Sequence, residues 1–259
     1  MKKLALLTCI LIFVFAVNGG AIPPPLFDVW QDTDFNGVKD TYMGSIYWYA
    51  GPHTTVANYN YSSASAHPLV GPTPEAYKSK MFFYSGPDGV AFNFFHNVDN
   101  GGNNYWNHVG WDFHFLNMNS SIGLVDDNTP ENQGEPGIVP LTPFDYHAGW
   151  AYALNTDGGL FNNLGPTAPY WEIAIDPYMF GDIQEWQIYS GDGSYISLWN
   201  NPNPPPVGLG SSANYGQPGD NCAYTTYITT HVVPEPTTLL LLGVGLLGAG
   251  LVTRKKVMK

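Results

Sequence analysis

Turns come too often in this sequence for helices to grow. Twenty-nine glycines and 22 prolines fall among its 259 residues. Each breaks a helix, through excess backbone freedom in the first case and a missing N–H in the second. Between residues 22 and 232 no stretch of useful length keeps a helical apolar period, and short apolar or alternating runs alternate with Gly, Pro, Asn and Ser clusters. That pattern predicts many short strands joined by tight turns.

The clearest strand is Trp111-Asp112-Phe113-His114-Phe115. Its strict alternation puts three rings on one face and Asp112 with His114 on the other. Met81–Tyr84 and Val90–Phe95 flank Ser85-Gly86-Pro87-Asp88-Gly89, and Glu185–Tyr189 and Tyr195–Trp199 flank Ser190-Gly191-Asp192-Gly193. Both arrangements read as hairpins. Tyr42–Tyr49, Trp150–Leu154, Tyr170–Ile175 and Ala223–Val233 read as further strands. His53–Thr73 and Asn97–Asn104 read as loops, as does Asp126–Pro143, the strongest internal boundary signal. The expected fold is all-β: an antiparallel β-sandwich or jelly roll over residues 22–232. About 210 residues bury enough apolar surface to fold without staples.

Charge narrows the partners. All 21 acids lie between Asp28 and Glu235, an interval whose only cations are Lys39, Lys78 and Lys80. A stretch so acidic and without arginine excludes nucleic acid, whose phosphates require clustered cations. It attracts metal cations, or simply confers solubility. Of two cysteines, Cys9 falls in the N-terminal apolar run, leaving Cys222 without an intramolecular partner once that run is removed.

The two ends differ from the middle. Met1-Lys2-Lys3, the apolar Leu4–Val17 and the small residues around Asn18–Ala21 form a secretory signal peptide, assigned to residues 1–21. At the other end Val233-Pro234-Glu235-Pro236 precedes the apolar Leu239–Val252 and the basic Arg254-Lys255-Lys256. With Thr237 and Thr238 included, a helix of 16 residues here reaches ~24 Å against a ~30 Å hydrocarbon core. Snorkelling cations close that gap and hold the basic end in the cytoplasm. Residues 233–259 closely resemble the PEP-CTERM sorting signal of Gram-negative bacteria. The resemblance implies a transmembrane helix, recognition by an exosortase (an integral-membrane cysteine peptidase) and processing near Pro234-Glu235-Pro236. It also implies transient inner-membrane anchoring, then delivery to the cell surface or a polysaccharide and biofilm matrix. Such a signal is an address and states no activity.

Within the exported part, Asp32-x-Asp34-x-Asn36-Gly37-x-x-Asp40 has the spacing of a calcium loop. Alternate oxygens converge, Gly permits the sharp turn, and the Val38 carbonyl adds a ligand. The segment resembles the short calcium repeats of dockerin and thrombospondin-type proteins. It departs from the EF-hand at the twelfth position, Met43. The competing reading is a plain hairpin turn around Asn36-Gly37. His96, His108, Asp112 and His114 form a second candidate, for a transition metal or acid–base pair, with an ordinary polar strand face as the alternative.

Aromatic residues make up 15% of the chain. Trp48, Trp106, Trp111, Trp150, Trp171, Trp186 and Trp199 supply either core or flat surfaces for sugar rings. Trp111, Trp171 and Trp186 read as core, and Trp106, in an Asn-rich stretch, as the surface ligand-binding candidate. No nucleophile, zinc-protease or nucleotide motif occurs. Glu172 and Glu185 are nominal glycosidase carboxylates only. The expectation is a non-enzymatic, exopolysaccharide-associated or carbohydrate-binding surface protein with a calcium-stabilised loop. The alternatives are a secreted polysaccharide hydrolase or lyase, and a purely structural surface-layer protein.

Overall fold

The computed structural model describes residues 26–34, 36–62, 65–96, 107–126, 137–152, 156–179, 183–200 and 225–230. The signal peptide, Trp106, Cys222, Val233-Pro234-Glu235-Pro236 and the predicted membrane helix lie outside them. Among the described residues no helix is long and apolar enough to cross a membrane.

Two sheets make up the body. Sheet A runs β2 (Thr41–Tyr47), β1 (Leu26–Gln31), β14 (Thr226–Thr230), β11 (Glu172–Met179), β6 (Asn107–Leu116), β9 (Asp145–Tyr152), β8 (Gly137–Pro140). Sheet B runs β13 (Tyr195–Asn200), β12 (Glu185–Tyr189), β4 (Lys78–Gly86), β5 (Gly89–His96), β10 (Asp157–Pro166), β7 (Met118–Val125), with β3 (Tyr49–Ala50) also on β4. Both sheets draw strands from either side of residues 127–136. Sheet A is antiparallel throughout, and sheet B is mixed, since β3 and β12 pair with β4 in parallel. Parallel pairing needs a long crossover. The chain supplies one by traversing sheet A between β4 and β12.

Alternation explains how the sheets meet. Phe27 and Val29 of β1, Trp111, Phe113 and Phe115 of β6, and Ile173 and Ile175 of β11 turn inward from sheet A. Met81, Phe83, Phe92, Phe94, Phe161 and Trp186 meet them from sheet B. Ring centroids lie 4.5 Å apart for Phe27–Phe83, 5.1 Å for Phe94–Phe113 and 5.3 Å for Phe94–Trp150. Gln31 crosses the same layer, donating from Nε2 to the Leu198 carbonyl at 2.8 Å. Its burial is therefore satisfied rather than costly.

Strands β4 and β5 are buried on both faces, which is why Met81–Tyr84 reads as a continuous apolar run. Their outer face carries Phe82, Tyr84, Ala91 and Phe95, packed with Tyr59, Ala66 and Leu160 in a second cluster. The segment expected as a loop supplies this cover and contains a short helix, α1 (Thr55–Tyr59), capped by Thr54. Asn58 fixes the cover by bonding both the N–H and the carbonyl of Val70 at 2.9 Å.

The register gives the body two distinct ends. Phe27 pairs with Thr230, Thr229 with Glu172, and Glu172 with Leu116, so β1 starts and β6 and β14 finish together at one end. We call this the tail end. The opposite end, the loop end, carries the β1–β2 connection and the start of β6.

Candidate functional site

The β1–β2 connection brings three predicted ligands together. One carboxylate oxygen each from Asp32, Asp34 and Asp40 lies within 4.8 Å of the others. Asp32 is buried and holds the turn, accepting from the Asn36 N–H at 3.1 Å and the Gly37 N–H at 2.6 Å. Gly37 has φ +80°, a conformation costly to a residue with a Cβ. Asp40 accepts from the Thr33 N–H at 3.1 Å, the Thr33 hydroxyl and the Thr41 hydroxyl. Those bonds, the Thr33 N–H first, hold its carboxyl below the ordinary carboxylate range. Asp34 is shifted upward, by desolvation first, then by its bond with Asp32 and repulsion from Asp40 and Asp32.

Asn36 spends its side chain on the loop itself. Its Nδ2 donates to Asp34 at 2.9 Å and its Oδ1 accepts from the Val38 N–H at 2.8 Å. The carboxylates suit a hard cation, which takes six to eight oxygens in the case of calcium. Asn36 would have to exchange its bond to Val38 to join them.

The loop borders the outer face of sheet A. Register places Asp176 opposite Asp112 and Asp112 opposite His147. The Asp32 N–H bonds the Thr225 carbonyl at 3.1 Å, and the Thr225 hydroxyl bonds Asp176. Asp32, Thr225, Asp176, Asp112 and His147 thus form one row across the sheet. The neighbouring row runs Tyr42, Trp30, Tyr227, Ala174, His114, Asp145. Trp30 and Tyr42 rings lie 5.0 Å apart. Lys39 drapes across this face, its ammonium 5.7 Å from the Tyr227 ring and 5.0 Å from the Tyr170 ring. It bonds Glu172 and the Tyr170 hydroxyl. Burial works against its charge, but those two partners outweigh it and raise its pKa.

The histidine constellation separates. His96 is fully buried, its ring stacked on Trp111 at 4.3 Å and its Nδ1 3.0 Å from Ser79 Oγ. Asp112 and His114 face the other way. Asp112 pairs with His147 at 2.7 Å, and His114 pairs with Asp145. Sequence reasoning missed Asp145 and His147, although the signal was present. Asp-aromatic-His occurs twice, as Asp112-Phe113-His114 and Asp145-Tyr146-His147. Antiparallel pairing sets each Asp opposite the other strand's His. His108 lies in β6 opposite Ala151.

The nominal glycosidase carboxylates also part. Glu172 lies in sheet A against Lys39, and Glu185 lies in sheet B against Lys78. Trp111, Trp171 and Trp186 are buried, as expected, and so is Trp150. Trp48 and Trp199 are partly buried against the core. Among the described residues Trp30 is the indole on the outer face of sheet A, and the sequence reading did not single it out.

Comparison with known proteins identifies the tail. Residues 232–256 match the PEP-CTERM protein-sorting motif. No curated protein and no solved structure matches the chain. The motif marks an extracellular protein recognised by an exosortase and sorted toward the cell surface.

Proposed function

We propose that the exported body is a non-enzymatic surface or matrix protein that associates with exopolysaccharide, built as a jelly-roll-like β-sandwich. The tail helix anchors it in the inner membrane until exosortase removes the tail. One observation carries the binding reading: the outer face of sheet A sets Trp30, Tyr42 and Tyr227 in a row beside a row of carboxylates. Sugar C–H faces stack on such rings while carboxylates and hydroxyls bond sugar hydroxyls. The three-carboxylate loop at the edge of that face holds calcium, with Asp32, Asp34 and Asp40 as ligands. Bound there, calcium fixes the loop from which Lys39 reaches over Tyr227. Trp106 remains a second candidate contact, from the β5–β6 connection.

The test is a glycan array probed with the exported protein in calcium and in chelator. Calcium-dependent binding that falls at least tenfold on Trp30→Ala supports the reading. A folded protein that binds no glycan in either condition sinks it and favours a purely structural surface-layer role.

A second reading, a polysaccharide hydrolase or lyase, draws on the Asp112–Asp176 pair. The Asp176 carboxyl is raised, by desolvation first and then by the charges of Asp112 and Asp32. A raised carboxyl beside a second carboxylate is an arrangement that general acid–base cleavage uses. Release of reducing ends from matrix polysaccharide, lost on Asp176→Asn, would establish it. Absence of such release under conditions where glycan binding is seen leaves the binding reading.

A further inference from the structure

The sorting tail leaves the body beside a rim of exposed apolar side chains. Along the tail end of sheet A, β14 finishes at Thr230, whose N–H bonds the Trp171 carbonyl. Next to Trp171 stands Tyr170, whose carbonyl accepts from Asn117 Nδ2. Asn117 follows Leu116, and the Phe115 N–H bonds the Phe144 carbonyl in the β8–β9 turn. Tyr170, Leu116, Phe144 and Leu141 therefore occupy successive positions from the tail exit outward. They are 38%, 40%, 49% and 63% exposed.

The leash is short. Three residues lie between Thr230 and Pro234, and eight between Thr230 and Leu239, where the apolar run begins. Nine extended Cα-to-Cα steps span at most ~32 Å. Part of that crosses the headgroup layer, since the whole bilayer exceeds its hydrocarbon core by about 10–15 Å. Strand β6, of 10 residues, is itself about 33 Å long. The tail therefore cannot turn the loop end toward the membrane, and it keeps the tail end within about 32 Å of the hydrocarbon core. The acids nearest the rim are already paired: Asp145 with His114 and Thr142, Glu172 with Lys39.

We propose that this rim is a lipid-docking surface. While the tail is inserted, Leu141, Phe144, Leu116 and Tyr170 rest in the headgroup layer of the bilayer. This seats the Pro234-Glu235-Pro236 segment at the membrane surface and leaves the Asp32–Asp40 loop facing away. The inference rests on the reading that the tail anchors the chain before processing. Leu, Phe and Tyr suit that layer because apolar bodies bury while a hydroxyl stays wet. The tether removes most of the entropic cost of the contact.

The full chain, with Cys9 and Cys222 replaced by serine, tests this in vesicles of phosphatidylethanolamine and phosphatidylglycerol carrying a headgroup-depth quencher. A polarity-sensitive fluorophore is placed singly at Leu141→Cys, Phe144→Cys, Val38→Cys or Leu246→Cys. Quenching at 141 and 144 at least twofold above that at 38 is the expected result. Equal quenching at 141, 144 and 38, with Leu246→Cys showing the blue-shifted emission of a probe in hydrocarbon, overturns the docking while the anchor stands. Water-like emission from Leu246→Cys overturns the anchor and the docking with it. Quenching at 141 and 144 that appears only when exosortase is added assigns the rim to the peptidase and overturns lipid docking. Independently, a label at Leu116→Cys should lose quenching when Leu141→Asp and Phe144→Asp are introduced together. Unchanged quenching there also refutes the proposal.

Discussion

Single residues here are held by environments that differ sharply between the faces of one sheet. His96 is the extreme case. Fully buried against Trp111, its pKa is pushed well below the ordinary value by loss of water. A folded-state pKa below the unfolded value means the unfolded chain takes up a proton first as pH falls. Stability is whole above about pH 6.5 and declines below it. Urea denaturation at pH 5.5 and 7.5 should show that decline, and His96→Asn should remove most of the difference. A slope unchanged in the variant would assign it elsewhere. Phe94 touches Phe92, Phe113, Trp150 and Phe161, rings from both sheets. Phe94→Ala should cost about 3–5 kcal/mol in the same assay, since the facing rings cannot close the cavity. A cost under about 1 kcal/mol would show that they can.

At the scale of elements, the pairing of β6 with β9 has the clearest logic. Two copies of Asp-aromatic-His, run antiparallel, place each Asp across from the other strand's His on the outer face and the rings on the inner. A one-residue slip of either strand would turn its Asp and its His inward, so the motif fixes register. Asp145 gains most: its bond with His114 first, then Thr142, holds its pKa below the usual value. A depressed carboxylate pKa contributes stability above the unfolded value, about 4, and loses it as pH falls through the folded one. Asp145→Asn should therefore flatten acid unfolding below about pH 4 while leaving thermal stability at pH 7 slightly reduced. Calorimetry across pH 2.5–7 checks this, and an unflattened acid limb would contradict it. In the β1–β2 connection one buried carboxylate, Asp32, satisfies two backbone N–H groups.

On the scale of the molecule, β14 decides most. It lies between β1 and β11, so the last described strand completes the middle of sheet A. A chain ending before Thr226 should not fold cooperatively, because β1 and β2 lose their attachment to β11. A chain ending at Val233 should keep full stability. Circular-dichroism melts of the two truncations distinguish them, and a cooperative transition in the shorter one would refute the argument. Removal of the sorting tail therefore costs the fold nothing, since it begins only after β14 closes the sheet.

Much was legible in the sequence because it rests on local chemistry. Gly and Pro frequency ruled out long helices, and alternation in Trp111–Phe115 assigned its buried face. The hairpin turns at residues 85–89 and 190–193 and the sorting motif also rest on nearest neighbours along the chain. The spacing of Asp32, Asp34 and Asp40 likewise anticipated carboxylates that meet. What no local pattern carries is pairing between distant strands. Only tertiary structure set β12 parallel to β4, inserted β14 between β1 and β11, and covered sheet B with the 51–73 segment. It also parted His96 from Asp112 and sent Glu172 and Glu185 to different sheets. Each of these depends on which strand becomes a neighbour, a choice made by burying apolar faces from the whole chain in one core.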